Sequence, residues 1–386
     1  MASIFAPFVL RRLGKHARYT CVTDHRQTQT LSAVTAFYPS DDYQLELVQV
    51  LFRHGERISD KEEIYKTDPY DEVFKGYGYG QLTKAGHRRE YRIGQLLRQR
   101  YGDFLGDFNN SHVYAYSTNS DRTKMSLQLV LAGLYPPTAR TSWSDKINWL
   151  PIPTYYDKDE DNFLTVYYTC DEYLKLYHQV PRLPEMQEKL KKYQSFYNAL
   201  QKKTGADTST PYSVYLIYCN VRAALSLDLP LPDWCSKEDY KILEELTTIA
   251  LQSYTHTPSM KRTTAGLIIQ EFLKNTNGED GRKIYLYGAH DINVAVFTNA
   301  HNFSGIPDIP DYGSTVIFEK LRGKDNQVYI RMFLWTGVSE TLMPLKLDNC
   351  QQTCLLSDYT NIVKGLLPDD FTKRCTSRKN ISIPNT

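Results

Sequence analysis

Leu45-Glu46-Leu47-Val48-Gln49-Val50-Leu51-Phe52-Arg53-His54-Gly55-Glu56-Arg57 is the stretch that decides the fold. The largely apolar run from Leu45 to Phe52 reads as a buried strand, and it ends on a histidine set between arginines. At the C-terminal end of a parallel strand, side chains and loop amides open into the crevice where α/β proteins bind ligands. Guanidinium forks match phosphate oxygens two at a time, and nearby positive charge favours the neutral imidazole, the form able to attack. The pentad points to a phosphate-handling nucleophile; the competing reading is an ordinary histidine on a solvated loop.

Two further segments favour the nucleophile. His112 to Thr118 reads as a short strand, followed by Asn119-Ser120-Asp121-Arg122-Thr123 and a helix with Met125, Leu129 and Ala132 on one face. Lys283 to Tyr287 is a third short strand, ending in Gly288-Ala289-His290-Asp291 before the apolar helical stretch Ile292 to Ala300. Between the first two strands, Thr83 can cap a helix whose Ile93, Leu97, Tyr101 and Phe104 recur at i, i+4, i+8 and i+11, as a helix crossing over a sheet requires. Trp143 to Arg282 is mostly helical in pattern, with proline clusters at Pro151-Ile152-Pro153 and Pro230-Leu231-Pro232, and it reads as an inserted lobe. Ser314 to Lys320 and Val328 to Trp335 form a hairpin pattern around Arg322-Gly323-Lys324-Asp325-Asn326.

The expected fold is α/β, with a mainly parallel central sheet flanked by helices and capped by a mainly helical lobe. Residues 43–142 and 283–386 make the α/β domain, 143–282 the lobe, and 1–42 a nonstandard N-terminal extension. The active site is expected between the sheet ends and the cap. The Tyr- and Gly-rich loop Pro69 to Gly80 is a candidate lining for the cleft mouth, with plain surface turn chemistry as the alternative.

With 386 residues, 41% of them hydrophobic, the chain can bury a large core. Its 46 basic and 44 acidic residues leave a net charge of only +2, so nucleic acid is not implied as a partner. No stretch approaches the roughly 20 apolar residues of a spanning helix. The nine histidines are scattered and Cys350-x-x-x-Cys354 lacks a second ligand pair, so no metal or other cofactor is expected. His16, His25, His87, His112, His178, His256 and His301 read as ordinary surface or satisfied residues. Seven cysteines and the sequons at Asn109, Asn302 and Asn380 favour the secretory route. The N-terminus does not: Ser3 to Leu10 is broken by Pro7 and followed, not preceded, by Arg11 and Arg12.

From Leu45 to about Cys375, on the three motifs in order and on Gly80-Gln81-Leu82-Thr83, the chain resembles the histidine acid phosphatases, the branch of the histidine phosphatase superfamily that holds prostatic and lysosomal acid phosphatases and phytases. Its nearest look is to the insect and venom acid phosphatases. The resemblance implies hydrolysis of phosphate monoesters at acid pH through a phosphohistidine. His54 is the implied nucleophile, Arg53, Arg57, Arg122 and His290 the phosphate binders, and Asp291 the proton donor to the leaving alcohol. Such a donor must hold its proton at working pH, which burial favours and the arginines oppose. Ser59 stands where the family usually has proline, and a softer loop with intact chemistry is expected. The resemblance pairs Cys350 with Cys354 and Cys170 with Cys375, leaving Cys219 and Cys235 to pair within the lobe and Cys21 odd. It also implies a secreted or lysosomal location and a homodimer, and it offers no sign of the tail anchor of lysosomal relatives. The alternatives are a phytase or lysophosphatidic acid phosphatase of the same family, or a non-catalytic secreted binding protein on the fold. A phosphoglycerate-mutase-like transferase is disfavoured by Arg57 and by Asp291, where the mutases place glycine.

Overall fold

The computed structural model describes residues 42–376 apart from 279, 340, 349 and 351. The expected N-terminal extension up to residue 41, Cys21 and the sequon at Asn380 lie outside the described residues. Strand β1 (Tyr43–Arg53) is followed by α1 (Asp71–Tyr77), α2 (Lys84–Leu105), β2 (Val113–Ser117) and α3 (Asp121–Leu134). After the two-residue β3 (Tyr155–Tyr156) come seven lobe helices: α4 (Val166–Thr169), α5 (Asp171–Gln179), α6 (Pro184–Lys191), α7 (Gln194–Thr204), α8 (Pro211–Leu225), α9 (Lys237–Ser253) and α10 (Pro258–Thr263). The chain then returns to the sheet through α11 (Ala265–Asn277), β4 (Ile284–Ala289) and α12 (Asp291–Ala300). It closes with β5 (Thr315–Gly323), β6 (Val328–Trp335), β7 (Leu342–Leu345), β8 (Thr353–Leu355), α13 (Leu356–Val363) and α14 (Asp370–Thr376).

The sheet runs β3-β2-β4-β1-β5-β6-β7, with β8 also on β6. The expected parallel pairing holds on the side that carries the motifs, where β3, β2, β4 and β1 are parallel neighbours. From β1 outward through β5, β6, β7 and β8 the pairing is antiparallel, so the sheet is mixed overall. A short turn at Lys324 to Asn326 can only reverse the chain, whereas each parallel step uses a long crossover.

β1 alternates its side chains between two buried faces. Val48, Val50 and Phe52 pack with Ile93 and Leu97 of α2 and Leu127 and Val130 of α3, while Leu47 and Leu51 join the core that holds Phe272 of α11 and Phe297 of α12. Gln49 faces that second core fully buried, donating to the Phe272 carbonyl at 2.8 Å and accepting from Asn275 at 2.9 Å, so it carries no unmet polar atom. Thr83 caps α2 as expected, accepting from Gly86 N at 3.1 Å, and Ile93, Leu97 and Tyr101 are buried beneath it. Two parts of the 143–282 segment belong to the sheet layers: β3 extends its edge, and α11 lies against β1 and β4.

Cys170 bonds Cys375 and Cys350 bonds Cys354, as the resemblance implies. Cys219 and Cys235 do not bond each other; both are free and buried. Cys219 of α8 lies near Glu63, Asp291, Arg57 and Arg53, while Cys235 sits beside the first turn of α9, near Lys203 and Asp239. Among the described residues no helix is long and apolar enough to cross a membrane.

Candidate active site

Three parallel strand ends place the site. Arg53 is in register with Ala289, and Ser117 with Gly288, so the loops after β1, β2 and β4 leave the sheet side by side. The His54 amide donates to the Ala289 carbonyl at 3.0 Å, fixing the loop after β1 to the strand that delivers His290 and Asp291. All six residues expected from the sequence, Arg53, His54, Arg57, Arg122, His290 and Asp291, line one cleft of about 500 Å³.

Hydrogen bonds fix the tautomer of His54. Nδ1 lies 2.8 Å from the Gly55 carbonyl, which can only accept, so the proton is on Nδ1. Nε2 then carries a lone pair, and it accepts from Arg122 Nε at 3.1 Å. Burial pushes the imidazole well below its ordinary pKa, and the positive charge of Arg122, the neighbouring His290, Arg53 and Arg57 adds to the shift. The downward shift favours the neutral ring, the form able to attack.

Each arginine is held by a carboxylate. Arg53 contacts Asp291 at 3.1 Å, donates to the Pro310 carbonyl at 2.6 Å and stacks 4.1 Å over the Tyr312 ring. Arg57 makes a bidentate pair with buried Glu63 at 2.7 and 2.5 Å. Arg122 reaches Asp60 at 3.2 Å. Glu63 also accepts from Ser59 Oγ at 3.1 Å and Asp60 N at 2.9 Å. Ser59 is fully buried and accepts from Asn220 of α8 at 3.2 Å, so the residue expected to soften the loop ties it to the lobe instead.

His290 is bonded to Thr118 Oγ1 at 2.9 Å. Burial and then Arg122 push its pKa down to about 3, against the opposing pull of Asp291 and Asp60. Asp291 was expected to hold its proton. The groups around it oppose this: burial raises its pKa, but Arg53, His290, Arg57 and the Ile292 amide outweigh burial, and the net shift is downward. Its position in the first turn of α12 favours the anion as well.

The far wall is aromatic. Tyr167, Tyr168, Tyr177, Tyr212, Tyr215 and Tyr254 of the lobe line the cleft, with Asp60 and Glu62 on the loop side. The loop Pro69 to Gly80 lines none of it: residues 71–77 are helical and bury Phe74 in a small cluster with Ile58, Ala223 and Ala224. His178, expected to be an ordinary surface residue, is exposed at the cleft mouth. His301 is buried and satisfied by the Phe297 carbonyl and Tyr359. Asn109 and Asn302, the two described sequon asparagines, are exposed. Sequence reasoning missed Asp60, Glu63, Tyr215 and Tyr312; the acidic residues three and six positions after Arg57 were the only local signal.

A family model described as the histidine phosphatase superfamily (branch 2) matches residues 44–334. The venom acid phosphatase Acph-1 of Apis mellifera is 33% identical over 356 residues, covering 90% of this chain and 91% of that protein. The prostatic acid phosphatase of Rattus norvegicus is 28% identical over 354 residues, covering 89% and 92%. Among solved structures, the apo phytase of Hafnia alvei aligns with a TM-score of 0.65 at 14% identity, covering 87% of this chain and 99% of that one. The phytase of Citrobacter braakii aligns with 0.62 at 18%, covering 85% and 99%, and these two likenesses establish the fold alone.

Proposed function

The chain belongs to the histidine phosphatase superfamily (branch 2) and is a phosphomonoester hydrolase, and we propose that it works through a phosphohistidine on Nε2 of His54. The observation that carries this is the Nε2 lone pair, aimed into the cleft by the Nδ1 bond to Gly55 and ringed by guanidinium groups. Arg53, Arg57 and Arg122 offset the charge of a phosphate dianion and grip its oxygens as they spread in the transition state. Nε2 bonds to phosphorus, the ester P–O bond breaks, and the leaving oxygen takes the proton of Asp291. Water then attacks phosphorus and gives a proton back to Asp291, while the N–P electron pair returns to Nε2.

Asp291 must be loaded with a proton before it can serve. A bound dianion draws Arg53 towards itself and adds negative charge beside the carboxylate, and both effects raise its proton affinity. Turnover then falls as pH rises, because the loaded fraction falls. Trapping at acid pH and rapid denaturation tests the mechanism: acid-labile, base-stable phosphate on His54 is expected, and phosphate on a serine or aspartate overturns it.

For substrate, the aromatic wall supports a monoester of an apolar or aromatic alcohol, lysophosphatidate included. A second reading, hydrolysis of inositol hexakisphosphate, has the phytase likeness in its favour. Against it, the lining offers the three arginines of a single phosphate site, no lysine, and Asp60, Glu62 and Glu63 as like-charge neighbours of any further phosphate. Comparing product release from inositol hexakisphosphate, an aryl phosphate and lysophosphatidate separates them. The two disulfides suit an oxidising compartment, which supports a secreted or lysosomal location.

A further inference from the structure

We propose that Tyr215 of α8 is the positioning residue of the proton donor, registering the Asp291 carboxylate to the helical lobe, an inference that rests on Asp291 being that donor. The phenol oxygen lies 3.1 Å from both Oδ1 and Oδ2 of Asp291 and has no other hydrogen-bond partner among the described residues. Oδ1 also accepts from the Ile292 amide at 2.9 Å, and Oδ2 faces Arg53 at 3.1 Å. Three elements thus hold one carboxylate: the end of β1, the first turn of α12, and α8 of the lobe. Both residues are buried, so the O–H···O contact is shielded from competing water.

The three bonds respond differently to substrate. Arg53 is a phosphate binder and turns from the carboxylate when the anion arrives. The Ile292 amide restrains one oxygen but not the rotation of the carboxyl plane about it. Tyr215, sitting between the two oxygens, is the side chain left to fix that plane, and hence the direction in which the proton is offered to the leaving alcohol. Tyr215 thus acts on the leaving alcohol through Asp291, from the wall of the same cleft.

Several groups face Asp291. Arg53 and Arg57 come from the nucleophile loop and His290 precedes it in the chain. Tyr167 of α4, and Tyr212 and Cys219 of α8, are near enough to feel its charge. Of these, Tyr215 and Arg53 are the ones whose side chains bond the carboxylate, and only Tyr215 can lose that bond by a change of a single atom.

The test is Tyr215→Phe, run beside Asp291→Asn, on an alkyl phosphate and on an aryl phosphate with a low-pKa phenol. Phosphoenzyme formation is followed by rapid quench. Tyr215→Phe is expected to slow the first step on the alkyl ester about tenfold, the worth of one hydrogen bond to a charged group, with KM and the activated aryl ester changed less than about twofold. Losing a donor to the carboxylate raises its pKa, so the alkaline limb of the kcat profile moves to higher pH. The ester ratio and the position of the limb do not depend on the fraction of enzyme folded, so a partly unfolded variant still reports. Equal losses on both esters, or an unmoved limb, overturn the proposal while Asp291→Asn stays alkyl-selective. If Asp291→Asn is itself not alkyl-selective, Asp291 is not the donor and the proposal falls with it.

Discussion

Gly86→Ala is the perturbation that most directly asks whether the position of the nucleophile loop sets the rate. A Cβ on Gly86 would stand 2.2 Å from the Glu56 carbonyl oxygen and 2.8 Å from the Glu56 nitrogen, and a Cβ on Gly55 would meet the Gly86 oxygen at 2.6 Å. These partners are backbone atoms, so no side chain can swing away. Ordinary contact begins at 3.4 Å, and 3.4 − 2.2 leaves 1.2 Å to be opened between the first turn of α2 and the loop. The loop is bonded to that turn at several points: Thr83 N donates to Glu56 O at 2.8 Å, Ile58 N to Gln81 O at 2.8 Å, and Arg57 bridges Leu82. The displacement therefore falls on His54 and Arg57. A misplacement near 1 Å costs on the order of 10² in kcat, whereas alanine is the better helix former by about 1 kcal/mol, so activity and helix propensity move in opposite directions. The assay is phosphoenzyme burst and kcat on an activated aryl phosphate, with far-UV circular dichroism and thermal unfolding on the same samples. Gly76→Ala, on exposed α1 with nothing within 4 Å of the added Cβ, serves as the control and should keep full activity. A folded Gly86→Ala enzyme within about threefold of the parent rate would refute the reasoning, because the site would then tolerate a shift it is argued not to tolerate.

Glu63→Gln removes the charge that holds Arg57 and should lower kcat/KM about 10- to 100-fold, by the same factor on alkyl and activated aryl esters, since in the proposed mechanism Arg57 grips the phosphoryl group common to both; steady-state kinetics on the two esters check it. Ser59→Ala breaks the hydroxyl link between Glu63 and Asn220 and should cost about 1–2 kcal/mol in urea unfolding, with KM raised more than kcat is lowered. Glu90 is fully buried on α2 and neither carboxyl oxygen has a hydrogen-bond partner; burial, then the nearby Glu56, raises its pKa well above the ordinary 4.5, against Arg89 and Arg53. Below pH 4.5 both the folded and unfolded chains hold that proton, but above it the unfolded chain releases the proton and the folded one does not, so stability falls as pH rises towards the folded pKa. Glu90→Met should accordingly stabilise by about 1–3 kcal/mol at pH 7 and by less at pH 4, read from unfolding midpoints at both pH values.

What the chain announces locally, the fold honours. The β1 run, the Thr83 cap and the three strand-end motifs are contiguous in sequence, and strand and helix periods place them without knowledge of distant partners. The features that could not be read depend on how the chain folds back on itself, whether over 6 positions from Arg57 to Glu63 or 223 from Gln49 to Phe272. Glu63 appears as one more acid in Lys61-Glu62-Glu63, and only the folded loop turns it inward onto Arg57. Tyr215 belongs to Pro211-Tyr212-Ser213-Val214-Tyr215, a helix start that reads as lobe core, and only the seating of α8 over α12 brings its hydroxyl to Asp291. The helical pattern of α11 is plain, but its packing on the sheet is not, because its partners Gln49 and Tyr287 sit on other elements. The resemblance left Cys219 and Cys235 to pair, but α8 buries Cys219 near Glu63 and Asp291 while Cys235 sits beside α9.

Those missed carboxylates also bear on why the site should prefer acid. Arg53, Arg57 and Arg122 are matched by Asp291, Glu63 and Asp60, three cationic side chains against three carboxylates. Binding a monoester is then an exchange, in which phosphate oxygens replace carboxylate oxygens around the guanidinium groups. Glu63 keeps its bonds to Ser59 and the Asp60 amide after such an exchange, and Asp60 is partly exposed and can turn to water. Asp291 is buried as Glu63 is, and displacing Arg53 from it leaves a poorly solvated anion beside a second anion, the costliest state available to it. Taking up a proton removes that cost and arms the acid in the same step. On this account substrate binding and proton uptake are linked: the affinity for a non-reacting phosphate analogue should fall with rising pH in the parent enzyme, and the portion of that slope due to Asp291 should vanish in Asp291→Asn, where no proton is needed. Isothermal titration of inorganic phosphate in buffers of different ionisation enthalpy counts the protons taken up, and an uptake unchanged between parent and variant would place the linked proton on the phosphate itself.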